Sequence, residues 1–236
     1  MARILLIDDD PDFCDLLSTY LSSQGFEVDT LHGGKEALER LADPDADRPD
    51  AVCLDLMMPA PNGLDVLTRL RTSENWIPLL ILTANTDETE RIVSLEVGAD
   101  DFVAKTASPR ELAARLKALV RRARPDMSER QNDSEKPVRI EELMLVPSER
   151  RADLDGTSVS LTSTEFGVLH YLMRHAGTAI RKEDLSVAAL GRSLSPYDRA
   201  LDVHVSHIRK KLSVHPNWQD RIQAVRGVGY QLLVSG

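Results

Sequence analysis

Short apolar runs alternate along the first half of the chain with stretches whose apolar residues recur three and four positions apart. Ile4-Leu5-Leu6-Ile7 is an unbroken apolar run ended by Asp8, Asp9 and Asp10. So short a run, apolar on both alternating faces, predicts a strand buried on both sides of a parallel sheet. Phe13, Leu16, Leu17, Tyr20 and Leu21 follow at helical spacing, with Asp10 fitting as N-cap and Pro11 as first helical residue. The alternation continues: strand over 26–30, helix over 35–41, strand over 51–54, helix over 62–71, strand over 78–82, helix over 88–97 with Gly98 as its stop, and strand over 102–104. Ser108-Pro109 opens a last helix carrying Leu112, Leu116 and Leu119. Alternating strands and amphipathic helices predict an α/β fold, a parallel (βα)₅ sheet covered on both faces.

In such a sheet, ligands sit beyond the carboxyl ends of the strands. The residues there are Asp8, Asp9 and Asp10 after the first strand, Asp55 after the third, Thr83 after the fourth and Lys105 after the fifth. One Asp after a strand is usually a turn or cap residue. Their joint occurrence at successive strand ends asks for more. Converging carboxylates must take up protons or gain a cation, and Mg²⁺ takes hard oxygen ligands of this kind. A carboxylate can also act as nucleophile and become an aspartyl-phosphate. A hydroxyl and an ammonium beside it would bind the phosphoryl oxygens.

The pattern changes after residue 124. The segment 125–136 is polar and predicts a flexible linker over 123–136, able to span roughly 40 Å when extended. The stretch Val138 to Ser160 holds short β-prone pieces broken by Pro147-Ser148 and by Asp155-Gly156, a hairpin signal. Thr162-Ser-Thr-Glu165 is a capping box opening a helix ended by Gly177. A second helix runs from Arg181 to Leu190, stopped by Gly191, and a third from Pro196 to Leu212. On the third, Leu201, Val205, Ile208 and Leu212 form a core stripe, and Arg199, Val203, Ser206, His207 and Lys210 fall opposite. Such a helix suits a DNA major groove, and a solvated amphipathic helix with ordinary surface charges shows the same pattern. Ile222 to Val234 reads as a hairpin with Arg226 near its tip, and an arginine there can enter a narrow minor groove.

The formal net charge is −9, which taken whole argues against a nucleic-acid binder. Its distribution reverses that inference. Residues 1–124 carry −9, residues 125–136 carry −2, and residues 137–236 carry +2, with +5 over residues 174–226. Cys14 and Cys53 form neither a disulfide framework nor a metal pattern, so a reducing compartment is expected. No signal peptide and no membrane-length apolar run is visible, so a cytoplasmic location without a membrane partner is expected.

Ile7-Asp8-Asp9-Asp10, Leu54-Asp55-Leu56-Met57-Met58-Pro59, Leu82-Thr83-Ala84, Gly98-Ala99-Asp100-Asp101-Phe102 and Lys105 together resemble the receiver domain of two-component response regulators, over residues 1–122. The resemblance implies a flavodoxin-like fold with strand order 2-1-3-4-5 and Asp55 as phospho-acceptor. It also implies Mg²⁺ held by Asp8, Asp9, Asp55 and the backbone carbonyl of Met57. Thr83 and Phe102 match the switch pair, and Lys105 the lysine on the phosphoryl group. Two positions depart from the family pattern. Thr106 replaces the usual proline after Lys105, and a cis bond there would cost about 2.5–4 kcal/mol, so a trans bond and a displaced loop are expected. Phe102 replaces a tyrosine and lacks its hydroxyl.

Leu161-Thr-Ser-Thr-Glu165-Phe166, Asp198-Arg199-Ala-Leu-Asp202-Val-His204-Val, Ile208-Arg-Lys-Lys-Leu212 and Val225-Arg226-Gly-Val-Gly-Tyr230 resemble the OmpR/PhoB-type effector domain, a winged helix-turn-helix, over residues 137–236. The resemblance implies that Val203, Ser206 and His207 face bases. Arg199, His204, Arg209 and Tyr230 would hold phosphates, with Lys210 added from its helical angle, and Arg226 would enter the minor groove. It further implies a homodimer through the face of the fourth helix, fifth strand and fifth helix, where Arg91, Glu96, Asp100, Asp101, Glu111, Arg115, Lys117 and Arg122 stand. The long stretch Leu190 to Asp202, with the opening Arg3 to Asp10, is similar to an envelope-stress branch of the family in Gram-negative bacteria. The implied partners are a sensor histidine kinase, double-stranded promoter DNA and RNA polymerase.

The expectation is a transcription factor activated by phosphorylation, and not an enzyme. Two other readings compete. A phosphatase of the haloacid-dehalogenase type needs a second carboxylate two residues after the nucleophile, where Met57 stands. A regulator that binds DNA without phosphorylation draws on Thr106 and Phe102.

Overall fold

The computed structural model describes residues 1–84, 88–123, 136–194 and 198–234. The chain divides into two compact units, Met1–Val120 and Arg121–Gly236. The predicted linker lies, from residue 124 to 135, outside the described residues.

In the first unit, strands β1 (Ala2–Ile7), β2 (Phe26–Leu31), β3 (Ala51–Asp55), β4 (Leu79–Thr83) and β5 (Asp101–Ala104) form one parallel sheet in the order β2-β1-β3-β4-β5. Helices α1 (Pro11–Ser23), α2 (Gly34–Ala42), α3 (Gly63–Thr72), α4 (Glu88–Val97) and α5 (Pro109–Ala123) alternate with them. The inner strands β3 and β4 are buried at every position, as unbroken apolar runs require. Local chemistry places the helix starts. Asp10 accepts the Phe13 amide at 3.1 Å ahead of Pro11. Asn62 and Asp65 form a reciprocal capping box on α3. Gly63 is required by close approach: a Cβ there would lie 2.0 Å from the Asp55 carbonyl oxygen. That contact sets α3 directly against the end of β3. Cys14 and Cys53 are free thiols buried in the same core.

In the second unit, β6 (Val138–Ile140), β7 (Leu143–Val146), β8 (Arg151–Leu154) and β9 (Thr157–Ser158) make a four-stranded antiparallel sheet. Asp155 and Gly156, both at positive φ (50° and 76°), turn β8 into β9. Three helices follow: α6 (Ser163–Arg174), α7 (Lys182–Leu190) and α8 (Ala200–Leu212). The Thr162–Glu165 capping box forms in both directions. A short strand β10 (Ile180–Arg181), which periodicity did not predict, joins the hairpin of β11 (Ile222–Val225) and β12 (Gly229–Leu232) in the order β10-β12-β11. α8 starts at Ala200 rather than Pro196. Asp198 accepts the Ala200 amide at 3.0 Å, and Arg199 holds a non-helical ψ of 3°. Residues 195–197 lie outside the described set. α6 ends at Arg174, and Gly177 instead donates its amide to Leu232.

Gly63→Ala is expected to destabilise the first unit by about 1–3 kcal/mol, since the methyl must push backbone aside. Urea unfolding followed at Trp76 measures it, and an unchanged midpoint would contradict the close contact.

Candidate functional site

The carboxyl ends of the parallel strands bring the predicted chemistry together. Asp8 follows β1 and is fully buried (0% exposed), Asp55 ends β3 (1% exposed), and Asp9 is exposed beside them. One ligand atom from each of the three lies within 4.8 Å of the others. The Lys105 ammonium sits between two of them, 2.7 Å from Asp8 Oδ2 and 2.8 Å from Asp55 Oδ2. The Asp10 amide donates to Asp8 Oδ1 and the Met57 amide to Asp55 Oδ1, each at 3.1 Å. The Lys105–Thr106 bond is trans, since the cis bond among the described residues is Ala60–Pro61. With that bond trans, the loop delivers Lys105 to both carboxylates.

Burial pushes the Asp8 carboxyl above its ordinary range, against the opposing hydrogen bonds from Lys105 and the Asp10 amide. Burial also works to lower the Lys105 ammonium, but its hydrogen bonds to Asp55 and Asp8 outweigh that and raise it. One ammonium among three carboxylates leaves the pocket short of positive charge. Hard oxygen donors with a charge deficit fit a divalent cation such as Mg²⁺. Beneath the pocket, the Cys14 thiol lies 3.6 Å from the Asp8 carbonyl, and burial pushes that thiol up to about 12. Phe13, which spacing alone makes a core residue, has its ring 5.0 Å from Lys105 Nζ and roofs the lysine.

Thr83 and Phe102 are both buried. The Arg91 guanidinium lies 3.7 Å from the centre of the Phe102 ring. Three residues of the predicted dimer face have partners within the chain. Asp100 is buried, accepting the Leu79 amide at 3.0 Å and facing Arg71 at 3.7 Å, so its carboxylate ties β4 to α3 inside the chain. Asp101 is buried too and pairs with Arg115 at 2.9 Å; Arg115 also holds Glu111 at 2.5 Å. Lys117 reaches the Phe26 ring of β2, at the sheet edge opposite β5. Glu96 is exposed and Arg122 half-buried.

In the second unit, Arg199, Ser206, Lys210 and Arg226 are exposed, and Val203, His207 and Arg209 are partly so. His204 corrects the phosphate-holding set: its side chain is buried (1% exposed). It stands three residues after Leu201 and four before Ile208, on the core stripe of α8, where the helical angle outweighs the family pattern. Tyr230 is a second correction. It is buried, and its hydroxyl donates to Asp202 at 2.6 Å, with Lys182 on the same oxygen at 2.6 Å. Burial, and then Asp202, push the Tyr230 hydroxyl up. Arg209 donates to the Ile222 carbonyl at 2.8 Å. These bonds fasten α8 to the β11–β12 wing. Gly229 permits the wing to approach β10, because a Cβ there would lie 2.2 Å from the Ile180 carbonyl.

Glu165, beyond its capping role, is buried (1% exposed) and pairs with Lys211 at 2.6 Å, with His207 Nδ1 at 3.4 Å. Burial would raise its carboxyl, but His207, Lys211 and the Thr162 amide together hold it down at about 2.

Known proteins share both sites' frameworks. A model of the response regulator receiver domain matches residues 4–117, and a model of the C-terminal domain of transcriptional regulatory proteins matches residues 156–232. The transcriptional regulatory protein CpxR of Escherichia coli K12 is 39% identical over 236 residues, covering 100% of this chain and 99% of that protein. The alkaline phosphatase synthesis regulator PhoP of Bacillus subtilis is 34% identical over 233 residues, 98% of this chain and 96% of that one. Among solved structures, DrrB of Thermotoga maritima, an OmpR/PhoB homolog, aligns with a TM-score of 0.50 at 27% identity over 99% of both chains. A mutant of RitR shares the fold, with a TM-score of 0.74 at 21% identity over all of both chains. A receiver joined to a winged-helix DNA-binding domain makes a response regulator. The chain belongs to the OmpR/PhoB family of two-component response regulators, whose members are transcription factors. No helix among the described residues is long and apolar enough to cross a membrane.

The depressed Glu165 carboxyl has a consequence for stability. The folded state holds it ionised well below the ordinary 4.5, so its stabilisation is complete above about pH 4.5 and fades as pH falls toward about 2. In a Trp76→Phe chain, where Trp218 remains the sole tryptophan, the transition of the second unit is expected to weaken over that window. Glu165→Gln should flatten the dependence, and an equally steep one would contradict the pairing.

Proposed function

We propose that a sensor histidine kinase phosphorylates this regulator on Asp55, and that the modified chain dimerises and binds repeated sites in promoter DNA in the cytoplasm. The observation that carries this reading is the Asp8–Lys105–Asp55 arrangement, with Lys105 Nζ 2.7 and 2.8 Å from the two buried carboxylates. An Asp55 oxygen attacks phosphorus of a phosphohistidine. A P–O bond forms, the P–N bond breaks, and the imidazole leaves with the electron pair and takes up a proton. Asp8, Asp9, Asp55 and the Met57 carbonyl would hold Mg²⁺, which supplies positive charge to the phosphoryl oxygens. Lys105 moves its hydrogen bond from Asp55 to a phosphoryl oxygen, and Thr83 donates its hydroxyl to another. With Thr83 drawn toward Asp55, Phe102 and Arg91 resettle and the α4-β5-α5 face pairs with a second copy.

On DNA, Val203, Ser206 and His207 face the bases, Arg199, Arg209 and Lys210 take phosphates, and Arg226 enters the minor groove. Joining two weak binders raises their joint affinity, and recruitment of RNA polymerase follows from promoter binding. The stretch Leu190 to Asp202 and the opening Arg3 to Asp10, which resemble the envelope-stress branch of the family, support a role in envelope stress. Nothing observed favours a regulator indifferent to phosphorylation.

With acetyl phosphate and Mg²⁺, the wild-type chain should take up one acid-labile phosphate and Asp55→Ala none. Stoichiometric uptake by Asp55→Ala would overturn the assignment. Lys105→Ala should slow uptake roughly 10²–10³-fold, the loss seen when one charge-stabilising donor is removed. Beryllofluoride should raise both the dimer fraction and the DNA affinity of the full chain, measured by sedimentation and fluorescence anisotropy. Equal affinity with and without it would overturn the switch.

A further inference from the structure

A buried carboxylate of the second unit lies under the reading helix. Glu165 opens α6, yet two of its partners come from α8, one turn apart: His207 and Lys211. Its Oε2 takes two donors, the Thr162 amide at 2.8 Å and Lys211 Nζ at 2.6 Å. Its Oε1 faces His207 Nδ1 at 3.4 Å. A carboxylate accepts hydrogen bonds and does not donate them. The ring nitrogen facing it must therefore carry the hydrogen, and in a neutral imidazole the other nitrogen then keeps the lone pair. Helix capping alone explains the Thr162 contacts. It does not explain why the same side chain takes a histidine and a lysine from the helix packed across it.

We propose that Glu165 is a positioning residue for DNA reading. It fixes His207 as the Nδ1–H tautomer, so that Nε2 offers an acceptor to the major groove. The inference rests on the reading that His207 faces bases. It makes α6 a participant in sequence recognition, with the cap and the reading helix sharing one carboxylate.

Glu165→Gln tests this with the fold preserved, because glutamine serves equally in a capping box. Two donors converge on Oε2, so the glutamine oxygen must take that place and its amino group must face His207 Nδ1. The ring should then invert to the Nε2–H tautomer. Long-range ¹H–¹⁵N spectra of the full chain without DNA, at a pH where the ring is neutral, read this directly. Nδ1–H in the wild type and Nε2–H in Glu165→Gln are expected; the same tautomer in both overturns the inference. For the DNA step, the probe is a duplex selected from a random-sequence library by the wild-type chain. Glu165→Gln should weaken binding to it about tenfold, as expected for losing a hydrogen bond in its correct sense, and should leave binding to random duplex unchanged. In a His207→Ala background the same substitution should have no further effect. Additive losses overturn the positioning role while leaving His207 as a reader. If His207→Ala alone binds the selected duplex like wild type, the base-facing reading fails and the inference with it.

Discussion

Repulsion between buried carboxylates is the constraint on which the receiver is built. Asp8 and Asp55 end neighbouring strands that must lie side by side for the sheet to form, and neither side chain can reach bulk water. The Lys105 ammonium makes this tolerable by bridging the two at 2.7 and 2.8 Å. That solution reaches across the sheet, because Lys105 follows β5, two strands from β3. The edge strand, the loop after it and the Phe13 ring over the lysine are therefore all held in register by charge at the pocket. A pocket held by one ammonium among three carboxylates is poised for any further positive charge and for the anion that would accompany it.

The DNA-binding unit uses acids for a different purpose. Glu165 and Asp202 each gather basic or hydroxyl partners from separate elements: Glu165 joins α6 to α8, and Asp202 joins α8 to α7 and the wing. Some basic residues are thereby committed to architecture, which the net charge of this region does not reveal. Arg199, Lys210 and Arg226 are among the basic residues that stay exposed. A whole-chain charge of −9 is thus compatible with DNA binding, because the acidic excess belongs to the other unit and to the segment after it.

Strand-terminal chemistry was legible because a short apolar run ends sharply and the next residue must sit at the sheet's edge. Asp8, Asp55, Thr83 and Lys105 all follow from that rule. The capping boxes were legible for a similar reason, since both partners lie within three residues. Long-range orientation was not. Nothing in the run Gly98 to Phe102 says that Asp100 turns inward to cap the Leu79 amide while Asp101 meets Arg115. Lys117 has helical spacing compatible with either side of α5, and only packing sends it to Phe26. His204 was assigned to phosphates by resemblance alone, although its place three residues after Leu201 and four before Ile208 sets it beside the core stripe. The second use of Glu165 left no trace in the sequence, because the cap already accounted for it.

The two buried thiols give the receiver an internal clock. Cys14 borders the Asp8 carbonyl and Cys53 lies in the middle of β3, both without solvent exposure and both with thiolates strongly disfavoured by burial. Neither can meet a thiol reagent until α1 or the sheet opens. The labelling rate of the native chain therefore counts openings beneath the phosphorylation pocket itself, and two cysteines at different depths separate partial from complete opening.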